Sequence, residues 1–362
     1  MSVIGISGLT VEPVVIPETL ASPDAGDFLA MVDVRNAAAR ERTGHDDLAY
    51  SATELLPGWQ NDEDEEGYAW LARLDGDPVA RFVVEFPLEE GSDVVYFEFD
   101  VLDAGSRPDV WHAGFEVLER SARSKGRHVL QTDTLHRPAE GERLTARSGF
   151  GDVPLDGVAR TMLDHGFALE QVDRNSVLDL RGDWSHVERL HAEALAMSAG
   201  EYRLVDWTFP TPDEFVDGYA FMMSRMSTDA PSADLEWDEE TWDAARLRRY
   251  ESEVLDGGRL AGVVAAQHVA TGELVAFTEL FVDAERTGVT EQAATLVVRE
   301  HRGHRLGMLV KAANLLAWRD VAPGSPRVTT FNAEENRHML AVNEALGFVP
   351  VGFAGGWKKV LP

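Results

Sequence analysis

The chain has 362 residues, no cysteine and a formal net charge of −30, from 63 Asp plus Glu against 33 Lys plus Arg. Without cysteine there are no disulfides, no thiolate zinc site and no cysteine nucleophile, and the acidity argues against nucleic-acid binding, because a phosphate backbone would be repelled. No apolar run approaches the roughly 18 residues that span a bilayer, and Met1 to Pro13 has no basic stretch leading into a long apolar one, so a cytoplasmic protein that spans no membrane is expected.

The length suits two domains better than one core. In the first half, Asp27 to Arg42 carries Phe28, Leu29, Val32, Val34 and Ala37 at helical spacing. Asn61 to Glu66 is an acidic run, expected as a solvated loop. Strands are predicted over Tyr68–Leu74 and Pro78–Phe86, joined by the turn Asp75-Gly76-Asp77, and over Asp93–Leu102, which alternates through Val95, Phe97 and Phe99. An amphipathic helix over Trp111–Ser124 and a short strand over Val129–Asp133 follow.

The second half repeats this order. Trp184–Met197 reads as a helix and Trp207–Met226 as one or two more. Ser227–Ala245 is polar, with Asp234, Glu236, Asp238, Glu239, Glu240 and Asp243 beside Trp237 and Trp242. Strands are predicted over Arg259–Val269, Glu273–Val282 and Thr290–Val298, then a helix over Leu306–Ala317. After the breaker Pro323-Gly324-Ser325-Pro326 come a strand over Val328–Asn332, a helix over Asn336–Leu346 and a terminal strand within Phe348–Val360. The repeat of about 180 residues reads as two copies of one fold rather than a solenoid. The expected boundary lies near Gly182, giving domains 1–182 and 183–362.

The segment that carries chemistry is Thr295 to Met308. A β-branched strand ends in a loop with Gly303 and Gly307, which opens into a helix striped with Leu306, Leu309, Val310, Ala313 and Leu316. The first N–H groups of a helix have no intrahelical partner, its dipole adds positive character there, and glycine lets a phosphate approach the backbone. Arg302, His304 and Arg305 form a basic cluster in an otherwise acidic chain. A pyrophosphate would explain that contrast.

This stretch resembles motif A of the GNAT acetyltransferase superfamily: an Arg or Gln, two residues, a Gly, one residue, then Gly or Ala, placed after a strand. Arg302 and Gly307 match its ends, while Arg305 replaces the central glycine. Thr330 to Asn336, followed by a helix closing on Leu346-Gly347-Phe348, looks like motif B, and Thr271 to Ala276 like an early hairpin of the same superfamily. The tandem layout is similar to that of mycothiol synthase and other two-domain actinobacterial acetyltransferases. The resemblance implies two GNAT-like α/β (α+β) domains, each a mixed, mostly antiparallel sheet splayed in the middle and flanked by helices, with acetyl-CoA as co-substrate and no metal. It implies that Thr295, Leu296 and Val297 offer backbone groups to pantetheine. Arg302, Gly303, His304, Arg305, Leu306, Gly307 and Met308 would cradle the pyrophosphate, and Asn336 would contact CoA.

The implied activity is N-acetyl transfer by direct attack. The acceptor expected is the primary amine of a small cationic molecule, which the acidic charge would attract. A protein or peptide acceptor, or a non-catalytic acyl-CoA-binding module, stays open as an alternative. A monomer or homodimer is expected. An ammonium has no lone pair, so a base is needed. Glu279, in an otherwise apolar strand, is the leading candidate and His268 the second; the run Asp234 to Asp243 is a candidate cation holder. The superfamily often has a Tyr seven residues after the motif B Asn. Here that residue is Asn343, which can donate a hydrogen bond but no proton. In the first half, Val101 to Asp109 occupies the place of motif A with one glycine, one arginine and acids at Asp103 and Asp109, so that half is expected to have lost CoA binding.

Overall fold

The computed structural model describes residues 8–198, 200–229 and 231–362; the first seven residues of the Met1 to Pro13 stretch lie outside these. Contacts divide the chain into two compact units. The first comprises Met1–Asp173, Ser232–Asp238 and Gly352–Pro362, and the second Arg174–Pro231 and Glu239–Val351. The division falls at Asp173 rather than at Gly182. It also gives two later segments, 232–238 and the terminal strand region, to the first unit.

In chain order the first unit holds Leu9–Pro13 (β1), Gly26–Thr43 (α1), Ala52–Gln60 (α2), Glu65–Leu74 (β2), Asp77–Pro87 (β3), Val94–Val101 (β4), Pro108–Lys125 (α3), Val129–His136 (β5), the short pair Arg143–Thr145 (β6) and Asp152–Pro154 (β7), and Gly157–Asp164 (α4), and runs into Ala168–Asp179 (β8). The unit's strands lie in the order β1-β2-β3-β4-β5. Their inward face meets α3 through Phe82, Val84, Phe97, Phe115 and Leu118. Sequence spacing anticipates β2, β3, β4, α1 and α3. It misses α2, whose capping box of Ser51 and Glu54 was legible as a local signal.

The second unit holds Ser185–Ser198 (α5), Tyr202–Thr208 (β9), Asp213–Asp229 (α6), Ala244–Asp256 (α7), Leu260–His268 (β10), Leu274–Val282 (β11), Thr290–Val297 (β12), Leu306–Val321 (α8), Arg327–Ala333 (β13), Arg337–Leu346 (α9) and the start of Val349–Val360 (β14). The unit's strands run β8-β13-β12-β11-β10-β9. The expected helix from Trp207 is corrected: Trp207 is a strand residue paired with Val263 of β10, and the helix starts only beyond Pro210 and Pro212. Pairing to a neighbouring strand outweighed the local apolar spacing. Helix α7 begins inside the stretch read as polar, capped by Asp243, whose side chain accepts from the Arg246 N–H at 2.8 Å.

β11 is buried at every position, as the central strand of a sheet covered on both faces should be. Helix α8 packs on one face, with Asn314 donating to the carbonyls of Gly262 (3.0 Å) and Thr278 (3.3 Å) and Trp318 donating to Thr290 Oγ1 at 2.8 Å. Gly262 must be glycine, since a Cβ there would lie 2.5 Å from the Trp318 ring. Helix α6 covers the other face through Tyr219 and Met222.

Candidate functional site

The site in the second unit is made where strands part. β12 pairs with β13 only at Thr290↔Val328 and Glu291↔Thr329, and the Thr330 hydroxyl donates to the Gln292 carbonyl at 3.1 Å. Beyond that point the strands diverge, leaving one edge of β12 bare. The Val298 N–H donates to the Val275 carbonyl at 2.9 Å. By the alternation of an antiparallel ladder, Leu296 then spends its backbone groups on Phe277, whereas Thr295 and Val297 turn theirs to the bare edge. Of the three expected backbone contacts, two therefore face the gap.

At its upper end β12 passes through a short turn into α8. Gly303 has φ +90° and open space around it. Arg305 adopts φ +57°, so the arginine that replaces the motif's glycine keeps the left-handed backbone glycine would give, at a cost of about 1 kcal/mol. It is the N-cap of α8 and supplies no side-chain cap, so the first N–H groups of the helix, at Leu306, Gly307 and Met308, are left for another acceptor. A Cβ on Gly307 would meet only Val297, at 3.7 Å. The basic side chains differ in how far they are committed. His304 lies 3.7 Å from Glu201 and Arg305 3.7 Å from Glu193. Arg302 donates Nε to the Val297 carbonyl at 3.2 Å and has no carboxylate partner among the described residues.

Glu279 sits opposite an irregularity in the β11–β12 pairing. Between Thr278 and Leu280 the partner strand advances from Thr295 to Gln292, so Ala293 and Ala294 face one residue. The bulge turns the Ala294 N–H toward the carboxylate. Glu279 is buried and accepts a hydrogen bond from the Tyr219 hydroxyl. Burial pushes its pKa up to about 7, against the hydrogen bonds from Tyr219, the Ala294 N–H and Tyr250, which hold it down. Both phenols are themselves pushed well above their ordinary value, first by burial and next by the Glu279 charge, so they serve as hydrogen-bond donors. Sequence reasoning missed these two tyrosines, which lie on α6 and α7 and approach Glu279 only through packing. The α6 helical stripe through Val216, Tyr219 and Met223 was the available signal.

Other expected residues fall elsewhere. His268 ends β10 opposite Tyr202, five residues along the strand from Val263, the partner of Glu279, or roughly 16 Å away. It rests near His301 at 5.1 Å between ring centroids and bonds Thr271 Oγ1 at 3.1 Å, so it braces the hairpin. Asn336 is the N-cap of α9, accepting from the Met339 N–H at 3.2 Å. Asn343 is buried and donates to Asn332 Oδ1 at 2.5 Å, while its own Oδ1 has no partner. Lys311, one turn beyond Gly307 on α8, is buried, its amine lies 5.8 Å from the centroid of the Phe348 ring, and burial lowers its pKa to about 7. In the acidic run Asp243 caps α7, and Glu240 accepts from the Trp242 indole at 2.7 Å. Among the described residues no group of three His, Asp or Glu is gathered as metal ligands would be, and no helix is long and apolar enough to cross a membrane.

The first unit has the same parting of strands without the anion loop. β4 and β5 pair in parallel at Val94↔Val129, Val95↔Leu130 and Tyr96↔Gln131, then separate. In the turn that follows β4, the Asp103 N–H is taken by the Glu41 carboxylate at 2.8 Å. Arg107 is held by Asp109 through its Nε and Nη2. Pro108 opens α3 and has no N–H to give. A Cβ on Gly105 would meet Val79 at 2.6 Å, where Gly303 meets nothing.

These two splayed sheets, one with an open glycine turn before its helix and one without, match known structures along nearly the whole chain. A tandem GNAT protein from the clavulanic acid biosynthesis pathway, solved without acetyl-CoA, superposes with a TM-score of 0.73 at 23% identity, over 97% of this chain and 98% of that one. The fold is that of a tandem GNAT protein. A GCN5-related N-acetyltransferase from Sphaerobacter thermophilus gives a TM-score of 0.58 at 15% identity over 97% of this chain and 95% of its own. A putative acetyltransferase from Pyrococcus horikoshii gives 0.55 at 12% identity over 99% and 92%. No protein-family model matches the sequence, and no curated protein does.

Proposed function

We propose that this protein is an acetyl-CoA-dependent N-acetyltransferase whose second unit transfers the acetyl group to a primary amine of a small cationic molecule. The observation that carries the reading is the contrast between the turns before the two helices: in the second unit Gly303 is open and Arg302 has no carboxylate partner among the described residues, whereas in the first Gly105 is crowded by Val79, Arg107 is held by Asp109 and Pro108 opens the helix. A pyrophosphate satisfies the first N–H groups of α8, and the pantetheine arm lies along the bare edge of β12, where Thr295 and Val297 bond it as a neighbouring strand would. Arg302, Gly303, His304, Arg305, Leu306, Gly307 and Met308 form the cradle. Asn336 supports it by fixing the start of α9.

Glu279 is the general base in this reading. A carboxylate with pKa near 7 takes a proton at neutral pH more readily than an ordinary one. Because it is buried, it acts through water on the incoming ammonium. The neutral nitrogen attacks the thioester carbonyl carbon, the C–S bond breaks, and CoA leaves as a thiolate that takes up the proton the new amide nitrogen gives up. A thiol pKa near 8.5 makes that departure feasible with hydrogen-bond help alone, which suits Asn343 as a donor at the place where the superfamily often has tyrosine.

Calorimetry with acetyl-CoA tests the reading, on wild type and on Gly307→Glu with Arg302→Ala. Binding that the double change abolishes, followed by thiol release with members of an amine panel, supports it. Binding without turnover on any amine, or turnover only with peptides, would favour the non-catalytic or the peptide-acetylating alternative. No binding by wild type would sink it.

A further inference from the structure

The cleft between β4 and β5 in the first unit is occupied by the chain itself. Segment 232–238, which connects α6 to α7, lies on the face from which Tyr96 and Gln131 project, at the point where the two strands part. Gln131 holds the main chain of one residue by two bonds: its Nε2 donates to the Glu236 carbonyl at 2.9 Å and its Oε1 accepts from the Glu236 N–H at 2.7 Å. The Tyr96 ring packs on Trp237 with centroids 5.6 Å apart, and its hydroxyl reaches the Glu236 carbonyl at 3.4 Å. Leu235 covers Gly356, where a Cβ would lie 3.0 Å from its Cδ1. Lys358 donates to the Asp234 carbonyl. Most of these contacts read main chain, as a receptor for an extended peptide does.

The helices on either side of this segment carry Tyr219, which donates to Glu279, and Tyr250, whose buried phenol acts on the same carboxylate. We infer that the first unit's cleft, having lost its anion loop, serves as a receptor for residues 234–237, and that holding this connector positions α6 and α7 so that Tyr219 and Tyr250 meet Glu279. Gln131, Tyr96 and Trp237 are then positioning residues for the transfer, acting through the connector. A tethered loop is held at high effective concentration, so a few main-chain bonds and one ring contact are enough to fix it. The inference rests on the acetyl-transfer reading for its effect on turnover, but not for its effect on the helices.

The test uses the full chain with Gln131→Leu and Trp237→Ala, together and singly, and Tyr96→Phe as the conservative control. Three quantities are read: amide hydrogen exchange, acetyl-CoA affinity and stoichiometry, and thiol release with acetyl-CoA and spermidine or the best amine of a panel. Exchange in 232–243 should rise tenfold or more in the double variant and spread into the last turn of α6 and the first of α7. Acetyl-CoA affinity should stay within twofold at one equivalent, and kcat should fall tenfold or more with the KM for acetyl-CoA unchanged. Tyr96→Phe keeps the ring on Trp237 and should behave as wild type. A freed connector with α6, α7 and kcat unchanged would overturn the inference, as would a connector whose exchange does not respond. A second equivalent of acetyl-CoA bound by the variant would also overturn it, because the cleft would then be a covered cofactor site. If wild type turns over no amine, the acetyl-transfer reading fails and the exchange results still decide this one.

Discussion

Tyr219 donates its hydroxyl hydrogen to the carboxylate of Glu279 inside the second unit, across 60 positions of sequence. The donor favours the charged carboxylate while burial opposes it, and the balance leaves a base that titrates near neutrality.

Glu279→Gln should lower kcat by about 100-fold or more, in the range for loss of a general base, with acetyl-CoA affinity unchanged. The base must be deprotonated, so wild-type activity should fall as pH drops through about 7, and the glutamine variant should lose that limb. Tyr219→Phe removes a bond that stabilises the charge, so its limb should move to higher pH. Rate profiles between pH 5.5 and 9 decide both.

Arg305→Gly should stabilise the protein by about 1 kcal/mol, because glycine adopts φ +57° without the Cβ penalty. The substitution also removes the ion pair with Glu193, which is long and half-exposed and contributes little. Denaturant unfolding measures the gain, and acetyl-CoA affinity should fall no more than a few-fold.

Lys311→Met should raise stability at pH 7, on the order of 2–4 kcal/mol, by removing a buried amine with no anionic partner among the described residues. The folded pKa, about 7, lies below the unfolded 10.5, so the unfolded state binds more protons between those values. Stability from this group therefore rises with pH from 7 to 10.5 and is lost below. The variant should lack that slope in urea titrations. Glu279 acts oppositely: its folded pKa is raised, so its contribution declines as pH rises from 4.5 to about 7.

Asn336→Ala should destabilise α9 by about 1 kcal/mol, the usual effect of losing an N-cap. A fall in acetyl-CoA affinity of more than threefold in the still-folded variant would give Asn336 a direct part in binding beyond its cap.

Much of the site was legible because it is local. The strand, the turn at Gly303 and the helix from Leu306 follow from spacing and breakers, as do Asn336 and Gly347 at the two ends of α9. The first half's missing anion loop was equally plain in Asp103, Arg107 and Asp109. Trp207 was misread because its neighbours fit either period, and only pairing with Val263 settles it as strand.

The sequence by itself determined two copies of an α/β unit and the place of the uncapped helix, since capping, glycine and apolar period act within a few residues. Tertiary structure decided that Glu279 sits at a bulge beneath two tyrosines, and that Leu235 to Trp237 lie in the first unit's cleft. Those contacts join residues far apart in the chain, and burial, which raises the Glu279 pKa, is a property of the packed whole.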